Sequence, residues 1–301
     1  SPEEHAGTLV TEAVRGEGGQ LFNSKGERYM KNYDPERLEL STRDRVALAN
    51  YTEIIEGRGT PNGGVYLDIS HKEKSFITEK LPSIYRQFID LQMVDISKSP
   101  MEVAPTAHYS MGGLYVSADE HSTSVDGLFA AGEVAGGLHG ANRLGGNSLA
   151  EILVFGKRAG RAAAQRSMTI ETLIRSQSTI TKELQKIDNM VSSGDEIPKQ
   201  IESELNNLMW NHCGVVRDAT SMNEGLEKLE ELKSRSINLD IRVDSYSSNE
   251  LIAGFNLNAS ICAAEATLLS ALERRESRGS HQRSDYPEIN DEQSCNYMTT
   301  S

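Results

Sequence analysis

The feature that most constrains this chain is a glycine-dense segment at residues 127–160, GLFAAGEVAGGLHGANRLGGNSLAEILVFGKRAG. Seven glycines fall between residues 127 and 146. Glycine permits positive φ angles and a close approach of the backbone to a flat ligand. The pattern predicts a short buried strand at residues 128–131, a glycine loop, and an apolar helix that begins near Asn147.

The start of that predicted helix, together with the loop before it, favours a ligand site. A helix N-terminus presents free N–H groups and a positive dipole end, which suits an anionic or electron-rich ligand. One arginine, Arg143, lies inside the loop between small residues. Because a guanidinium can bind a carboxylate through two parallel hydrogen bonds, the loop predicts a carboxylate clamp.

Composition narrows the function classes. The chain has 301 residues and a net charge of −13, so it has room for two or three domains and a substantial core. The acidic charge argues against nucleic-acid binding and against charge-driven adhesion to anionic lipid. No apolar run approaches the about 20 residues of a membrane span. The three cysteines (Cys213, Cys262 and Cys295) lack CxxC spacing, so we expect no metal site, no disulfide framework and a reducing compartment.

Local patterns place several elements. Residues 41–59 begin with Ser/Thr cap candidates and stop at two glycines, which predicts a helix, and residues 65–69 alternate as a strand does. From about residue 165, charged helical patterns with apolar residues at three/four spacing predict a helical domain of three or more helices. Its single tryptophan, Trp210, is expected to anchor the core.

Five separated blocks carry a resemblance. They are GTLVTEAVRGEGG at residues 7–19, STRDRVA at 41–47, PTAHYSMGG at 105–113, GLFAAGE and GLHGANRLGGNSLAE at 127–151, and ERRESRGSHQRSDYP at 273–287. In this order they resemble the flavoprotein subunit of succinate dehydrogenases and fumarate reductases, over nearly the whole chain.

The resemblance implies an α/β plus α fold in which a capping, lid-like α+β domain precedes the remnant of a flavin-binding α/β domain and a C-terminal helical domain. The implied parts are the capping domain (1–104), the C-terminal segment of the FAD-binding domain (105–165), the helical domain (166–290) and a flexible tail (291–301). No strand–GxGxxG–helix unit is found, so the chain resembles the C-terminal part of such a flavoprotein, without the N-terminal FAD-binding region. The isolated polypeptide is therefore expected to hold FAD weakly or not at all.

The resemblance also implies roles for single residues. The catalytic set is a proton carrier, Arg43, with Glu12 and Arg15 as its relay. The substrate-binding set is Thr11, His108 and Arg143. The flavin-binding set is Glu133, Asn147, Ser148 and Leu149. An arginine guanidinium ordinarily stays protonated, so an arginine that carries a proton needs such a relay. Without the motifs, His108 would be interpreted as a core residue, and the Glu12–Arg15 pair would be interpreted as a structural ion pair.

The function implied is hydride transfer between FAD and the succinate/fumarate pair. Three alternatives stay open: L-aspartate oxidase, which generally carries cysteine where this chain has Met111; a thiol-linked fumarate reductase; and an inactive truncated module without bound FAD. The implied partners are an iron–sulfur subunit and, through that complex, a membrane anchor, with no nucleic acid. The implied location is cytoplasmic or peripheral on the inner face of the membrane.

Overall fold

A computed structural model describes residues 8–171, 176–243 and 248–292 of the chain. The chain folds into two compact units, Ser1–His108 and Tyr109–Ser301. The first combines short helices with a small sheet, and the second is mainly helical, so the whole is helix-rich with small sheets. The domain boundaries expected at 104/105 and 165/166 stay predictions.

The first unit is built around a three-stranded antiparallel sheet. Its elements are α1 (Ala13–Gly16), β1 (Gln20–Phe22), α2 (Met30–Tyr33), α3 (Arg43–Glu53), β2 (Val65–Asp68), α4 (Lys74–Lys80), α5 (Pro82–Gln92) and β3 (Met101–Val103). The central strand β2 pairs with β1 and β3, which aligns Leu21, Leu67 and Met101 in one buried row. This row packs against the helices, and the predicted strand at residues 65–69 is confirmed to within one residue.

Helix α3 begins and ends where the sequence predicts. Thr42 precedes its first residue with an extended backbone, and the helix continues into one wider turn, Ile54–Arg58. Gly57 in that turn has a φ of +75°, a conformation that L-residues rarely adopt, and the helical path stops there. Val46 and Ala49 are buried on the inner face of α3, as the apolar spacing predicts.

A buried carboxylate closes the C-terminal end of α3. Glu53 accepts two hydrogen bonds from the Arg58 guanidinium, each 2.7 Å, one from Asn23 Nδ2 at 2.8 Å and one from the Tyr33 hydroxyl at 2.7 Å. Burial alone would raise the pKa of Glu53, but the hydrogen bonds from these three donors outweigh it and lower the pKa from 4.5 to about 2. The ionised form is therefore the form that the fold stabilises.

This carboxylate gives a pH-dependent stability. Because the pKa of Glu53 is lower in the folded than in the unfolded chain, its contribution is complete above pH 4.5 and is lost as the pH falls towards 2. At pH 7 we expect Glu53→Gln to lower the free energy of unfolding by about 3 kcal/mol in denaturant titrations. We also expect the free energy of unfolding of this variant to fall less steeply as the pH is lowered from 4.5 towards 2. Glu56→Gln is the control, because Glu56 is 53% exposed and contacts the same arginine at 2.6 Å. Equal losses from both variants would contradict the prediction.

The second unit carries the longer helices. Its elements are α6 (Asn147–Thr169), α7 (Gln177–Met190), β4 (Ser192–Ser193), α8 (Pro198–Cys213), β5 (Val216–Arg217), α9 (Ala219–Arg235), β6 (Asp240–Ile241), α10 (Asn249–Glu273) and β7 (Gln282–Arg283). Helices α8, α9 and α10 pack around one apolar core. The predicted helical region is confirmed, and so is the predicted start of the glycine-loop helix, because α6 begins at Asn147.

Two sequence predictions in this unit are wrong. Trp210 is 39% exposed rather than a core anchor, because it lies two residues beyond Leu208 and so about 200° around α8 from the buried stripe. The predicted strand at residues 128–131 is a single bridge between Ser122 and Phe129, and Leu128 is 45% exposed. Among the described residues, the backbone partners of this segment lie within 121–125 and form local turn hydrogen bonds, so no regular strand forms there.

By length and composition, one helix of the described chain, α10, could cross a membrane. This differs from the expectation that no apolar run has that length. The same helix contributes five buried residues to the core with α8 and α9, which accounts for its apolar character. On its own the observation is weak support for a membrane span.

Candidate functional site

The three predicted catalytic residues meet in the first unit at the carboxylate of Glu12. Its Oε1 atom lies 3.6 Å from Arg15 Nη2, and its Oε2 atom accepts a hydrogen bond from Arg43 Nε. Glu12 directly precedes α1 with a helical backbone, so it shares one face with Arg15 of α1, as their spacing predicts, and Arg43 is the first residue of α3. The carboxylate therefore bridges two guanidinium groups.

The two arginines have different surroundings. The Arg15 side chain is 10% exposed, and its Nη1 atom donates to the backbone oxygens of Glu39 at 2.5 Å and Ser41 at 3.3 Å. Burial lowers the pKa of Arg15, and the nearby charge of Arg43 lowers it further against the opposite effect of Glu12. The Arg43 and Glu12 side chains are 48% and 45% exposed. A buried cation that releases a proton more readily is thus linked by a carboxylate to an exposed cation.

Buried acidic groups that sequence reasoning missed fix this arrangement. Glu39 accepts hydrogen bonds from the Arg28 guanidinium at 2.6 and 2.9 Å and from Leu21 N at 3.1 Å. The Ser41 hydroxyl donates to Asp34 at 2.7 Å. These bonds hold the segment whose carbonyls receive Arg15. A sequence signal existed for Glu39, an acidic residue between two leucines.

Two predicted substrate-binding residues of the first unit lie at its surface. Thr11 is exposed, and its hydroxyl oxygen accepts a hydrogen bond of 3.3 Å from Ala13 N, at the start of α1. His108 is exposed at the end of the unit. The third, Arg143, belongs to the second unit, so its convergence with Arg43 and His108 stays a prediction.

In the second unit, Arg143 rests on an aromatic ring. Its guanidinium carbon lies 4.6 Å from the centre of the Tyr109 ring, within cation–π range, and its Nη1 atom donates to Leu144 O at 3.3 Å. The Tyr109 hydroxyl donates to Glu151 Oε2 at 2.6 Å, and His139 Nε2 lies 2.8 Å from the same oxygen. Because a carboxylate only accepts, the imidazole proton is on Nε2.

The charge state of this network follows from its hydrogen bonds. Burial raises the pKa of Tyr109 to about 12, with the adjacent Glu151 acting in the same direction. Burial opposes ionisation of Glu151, but the hydrogen bonds from Tyr109 and His139 outweigh it and lower its pKa. At neutral pH a tyrosine therefore donates to a carboxylate. Sequence reasoning assigned no role to Tyr109 or Glu151, although both lie within the HYSMGG and NSLAE blocks.

Three of the four predicted flavin-binding residues form the start of α6, and the fourth, Glu133, lies in the loop before it. Gly146, at a φ of +84°, precedes the helix and has no side chain to cap its first turn. A Cβ atom added at Gly145 or Gly146 would meet nothing within 4 Å, so the backbone there can be approached closely. Asn147 and Leu149 are exposed and Ser148 is half-buried, while Glu133 accepts a 2.8 Å hydrogen bond from Ser110 N. The open backbone and uncapped helix start fit a hydrogen-bond-accepting edge such as that of the isoalloxazine of FAD, and the contacts of the four named residues with it stay a prediction.

In the described ranges, the thiols and the potential metal ligands form neither a disulfide nor a metal site. Cys213 is a buried free thiol and Cys262 an exposed one, whereas Cys295 lies outside the described residues. Within residues 8–171, 176–243 and 248–292, no group of three or more histidine, cysteine, aspartate or glutamate side chains could hold a metal ion. The site chemistry of the described chain therefore rests on cations, carboxylates and a glycine loop.

Two family matches cover most of the chain. Residues 1–149 match the FAD binding domain family, and residues 202–301 match the fumarate reductase flavoprotein C-terminal family. The first match supports FAD as the cofactor.

Individual relatives agree with these families. The chain is 49% identical to one of the subunits of the fumarate reductase (CoM/CoB) of Methanothermobacter marburgensis, a match that covers 97% of this chain and 52% of the relative. It is 38% identical to the fumarate reductase flavoprotein subunit of Escherichia coli, over 93% of this chain and 50% of that relative.

Solved structures extend the likeness to the fold. A quinol–fumarate reductase chain with menaquinol superimposes with a TM-score of 0.87 at 37% identity, over 95% of this chain and 53% of that one. Mycobacterium smegmatis Sdh1 gives 0.81 at 41% identity, over 94% of this chain and 48% of that one. The chain spans about half the length of the relatives that it matches. The chain belongs to the family of succinate dehydrogenase and fumarate reductase flavoprotein subunits.

Proposed function

We propose that this chain forms the dicarboxylate-converting part of a flavoprotein that interconverts fumarate and succinate. The observation that carries the proposal is the row Arg15–Glu12–Arg43, in which a buried arginine of lowered pKa is joined by one carboxylate to an exposed arginine. Such a row can deliver a proton from Arg43 to a bound substrate, after which Arg43 is reprotonated from Arg15 through Glu12. The family matches support the same reaction.

Each residue of the row has a separate task. In fumarate reduction, Arg43 gives its proton to one olefinic carbon, and Glu12 passes the replacement proton from Arg15. FAD, when bound, supplies the hydride to the adjacent carbon, so that one hydride and one proton together saturate the double bond. In succinate oxidation the same groups accept the proton. The buried position of Arg15 favours transfer towards the exposed end of the row.

Substrate and cofactor would be held by the other predicted residues. Arg143, with His108 and Thr11, would bind the two carboxylates and so fix the geometry of attack. Glu133, Asn147, Ser148 and Leu149 would contact the flavin, and the positive end of α6 would stabilise negative charge at its edge. In this assignment residues 1–104 form the lid over the flavin, and residues 105–165 form the C-terminal segment of the FAD-binding domain. Residues 166–290 form the helical domain that supports these two parts.

Partners and location follow from the same assignment. Both the archaeal and the bacterial relative are named as subunits, which supports assembly into a complex. We infer an iron–sulfur subunit that exchanges electrons with the flavin, and attachment to the inner face of the membrane through that complex. The chain itself would then be cytoplasmic.

The alternatives separate by substrate and by electron donor. L-aspartate oxidase and an inactive module are not favoured, because the relatives are named as fumarate reductase or succinate dehydrogenase subunits. A thiol-linked fumarate reductase shares the fumarate half of the proposed reaction and differs in its donor, and one relative carries CoM/CoB in its name.

The proposal is tested on the purified holoenzyme that contains this chain. We expect fumarate-dependent oxidation of a reduced viologen, succinate-dependent reduction of an artificial acceptor, and no oxygen consumption with L-aspartate. A thiol donor replaces the viologen in a parallel assay, which decides the electron source. Oxygen consumption with aspartate, or no turnover with either four-carbon dicarboxylate in a flavin-loaded sample, would overturn the proposed function.

A further inference from the structure

A buried carboxylate beside the glycine loop has no part in the reaction proposed above. Glu151 is the fifth residue of α6, a 23-residue helix, and it is buried. Both of its side-chain donors, Tyr109 and His139, use the same oxygen, Oε2. The long helix thus presents one fixed acceptor atom.

That acceptor fixes the ring of Tyr109. The hydroxyl is tethered at 2.6 Å, and the His139 ring packs edge-on against the tyrosine ring at 5.5 Å with an interplanar angle of 77°. His139 is itself held by the same carboxylate at 2.8 Å. The tyrosine ring is therefore restrained at its hydroxyl end and along its side, and rotation about its side-chain bonds would break both contacts.

The fixed ring carries the guanidinium of Arg143 at 4.6 Å. Stacking engages the flat face of a guanidinium, whereas carboxylate binding uses the N–H groups at its edge, so the two contacts are compatible. The loop backbone is fixed separately. Ser280 donates through N and Oγ, both at 3.2 Å, to Ala141 O, two residues before Arg143. With the backbone held, the ring supports the face of the guanidinium, whose Nη1 atom also donates to Leu144 O at 3.3 Å.

We infer that Glu151 is a positioning residue, which orients Arg143 for a dicarboxylate by locking the Tyr109 ring through a hydrogen bond. The inference rests on the proposed function for the identity of the ligand. It concerns affinity more than the chemical step, because neither Glu151 nor Tyr109 is given a proton to transfer.

The variants distinguish the effect of the Tyr109–Glu151 hydrogen bond, here called the tether, from the effect of the Tyr109 ring itself. Tyr109→Phe keeps the ring beneath Arg143 but removes its hydroxyl, and Glu151→Leu removes the acceptor. Each is expected to raise the KM for fumarate and the calorimetric Kd of succinate about tenfold in the holoenzyme, with kcat lowered less than threefold. Glu151→Gln, which keeps an oxygen acceptor, is expected to recover most of the affinity that Glu151→Leu loses.

The double variant gives the sharpest result. Because the tether is one bond, Tyr109→Phe with Glu151→Leu should be no worse than the poorer single variant, rather than about 100-fold impaired. Tyr109→Phe and Glu151→Gln carry the test if Glu151→Leu does not fold. Wild-type Kd in Tyr109→Phe, or multiplicative losses in the double variant, would overturn the inference. A wild-type holoenzyme that binds no dicarboxylate would overturn the proposed function instead, before any variant is compared.

Discussion

Replacing Arg43 with alanine in the holoenzyme is expected to lower kcat for fumarate reduction by about 10³-fold, with the flavin content unchanged. Loss of a positioned proton donor removes about 10² to 10⁴ in rate. The side chain is about half exposed and is not part of the apolar core, so folding should survive. Steady-state turnover and the flavin absorbance of the same sample provide the measurement.

A neighbouring arginine supplies the control. Arg45 lies on the same helix, is 59% exposed, and forms an ion pair of 3.2 Å with Asp34. Its replacement by alanine removes an equal charge from the same helix and should change kcat less than twofold. If Arg43→Ala retained more than a tenth of wild-type turnover, the proton would have to come from another group, and the row of Arg15, Glu12 and Arg43 would have only a structural role.

Replacing Arg143 with alanine is expected to raise the KM for fumarate about 100-fold. Hydrogen bonds to a charged group contribute about 1.5–3 kcal/mol, and each 1.4 kcal/mol is a factor of ten in affinity. Arg143→Lys restores the charge but not the planar pair of donors, so it should recover only part of the loss. Initial rates over a range of fumarate concentrations separate KM from kcat.

A second arginine of the same unit serves as the comparison. Arg158 on α6 lies over the Phe155 ring at 5.4 Å and donates to Ala118 O at 3.5 Å, so it is also a cation beside an aromatic ring. Arg158→Ala should leave the KM within twofold of wild type. Equal shifts in both variants would mean that the effect comes from net charge rather than from a carboxylate clamp at Arg143.

The elements that the sequence predicted correctly carry their own local signals. Helix α3 follows a threonine, and its path ends at Gly57, a glycine of positive φ. Both residues lie close to the ends of the helix that they define. Strand β2 shows the alternation of a half-buried strand. The ion pair of Glu12 and Arg15 follows from their spacing on α1. In each case the determining residues are separated by only a few positions.

The features that the sequence did not predict depend on partners far apart in the chain. Tyr109 and Glu151 are 42 positions apart, and Arg43 and Glu12, which no local pattern but only the family resemblance brought together, are 31 apart. Which carboxylate a given cation meets depends on how the elements pack, and that packing has no local pattern. The wrong strand at residues 128–131 has the same origin, because a strand needs partners and, in the part of the chain that the structure describes, this segment bonds only to the nearby residues 121–125.

The bond from Ser280 to Ala141 joins positions that are 139 residues apart. Gly279 beside it has a φ of +60°, and a Cβ atom there would stand 2.4 Å from the same carbonyl oxygen. The C-terminal block at residues 273–287 is thus hydrogen-bonded to the loop backbone that bears Arg143, the arginine proposed to bind the dicarboxylate. The block is remote from Arg143 in sequence. Substitutions in it are nevertheless expected to change ligand affinity, because they would shift the loop backbone that bears Arg143.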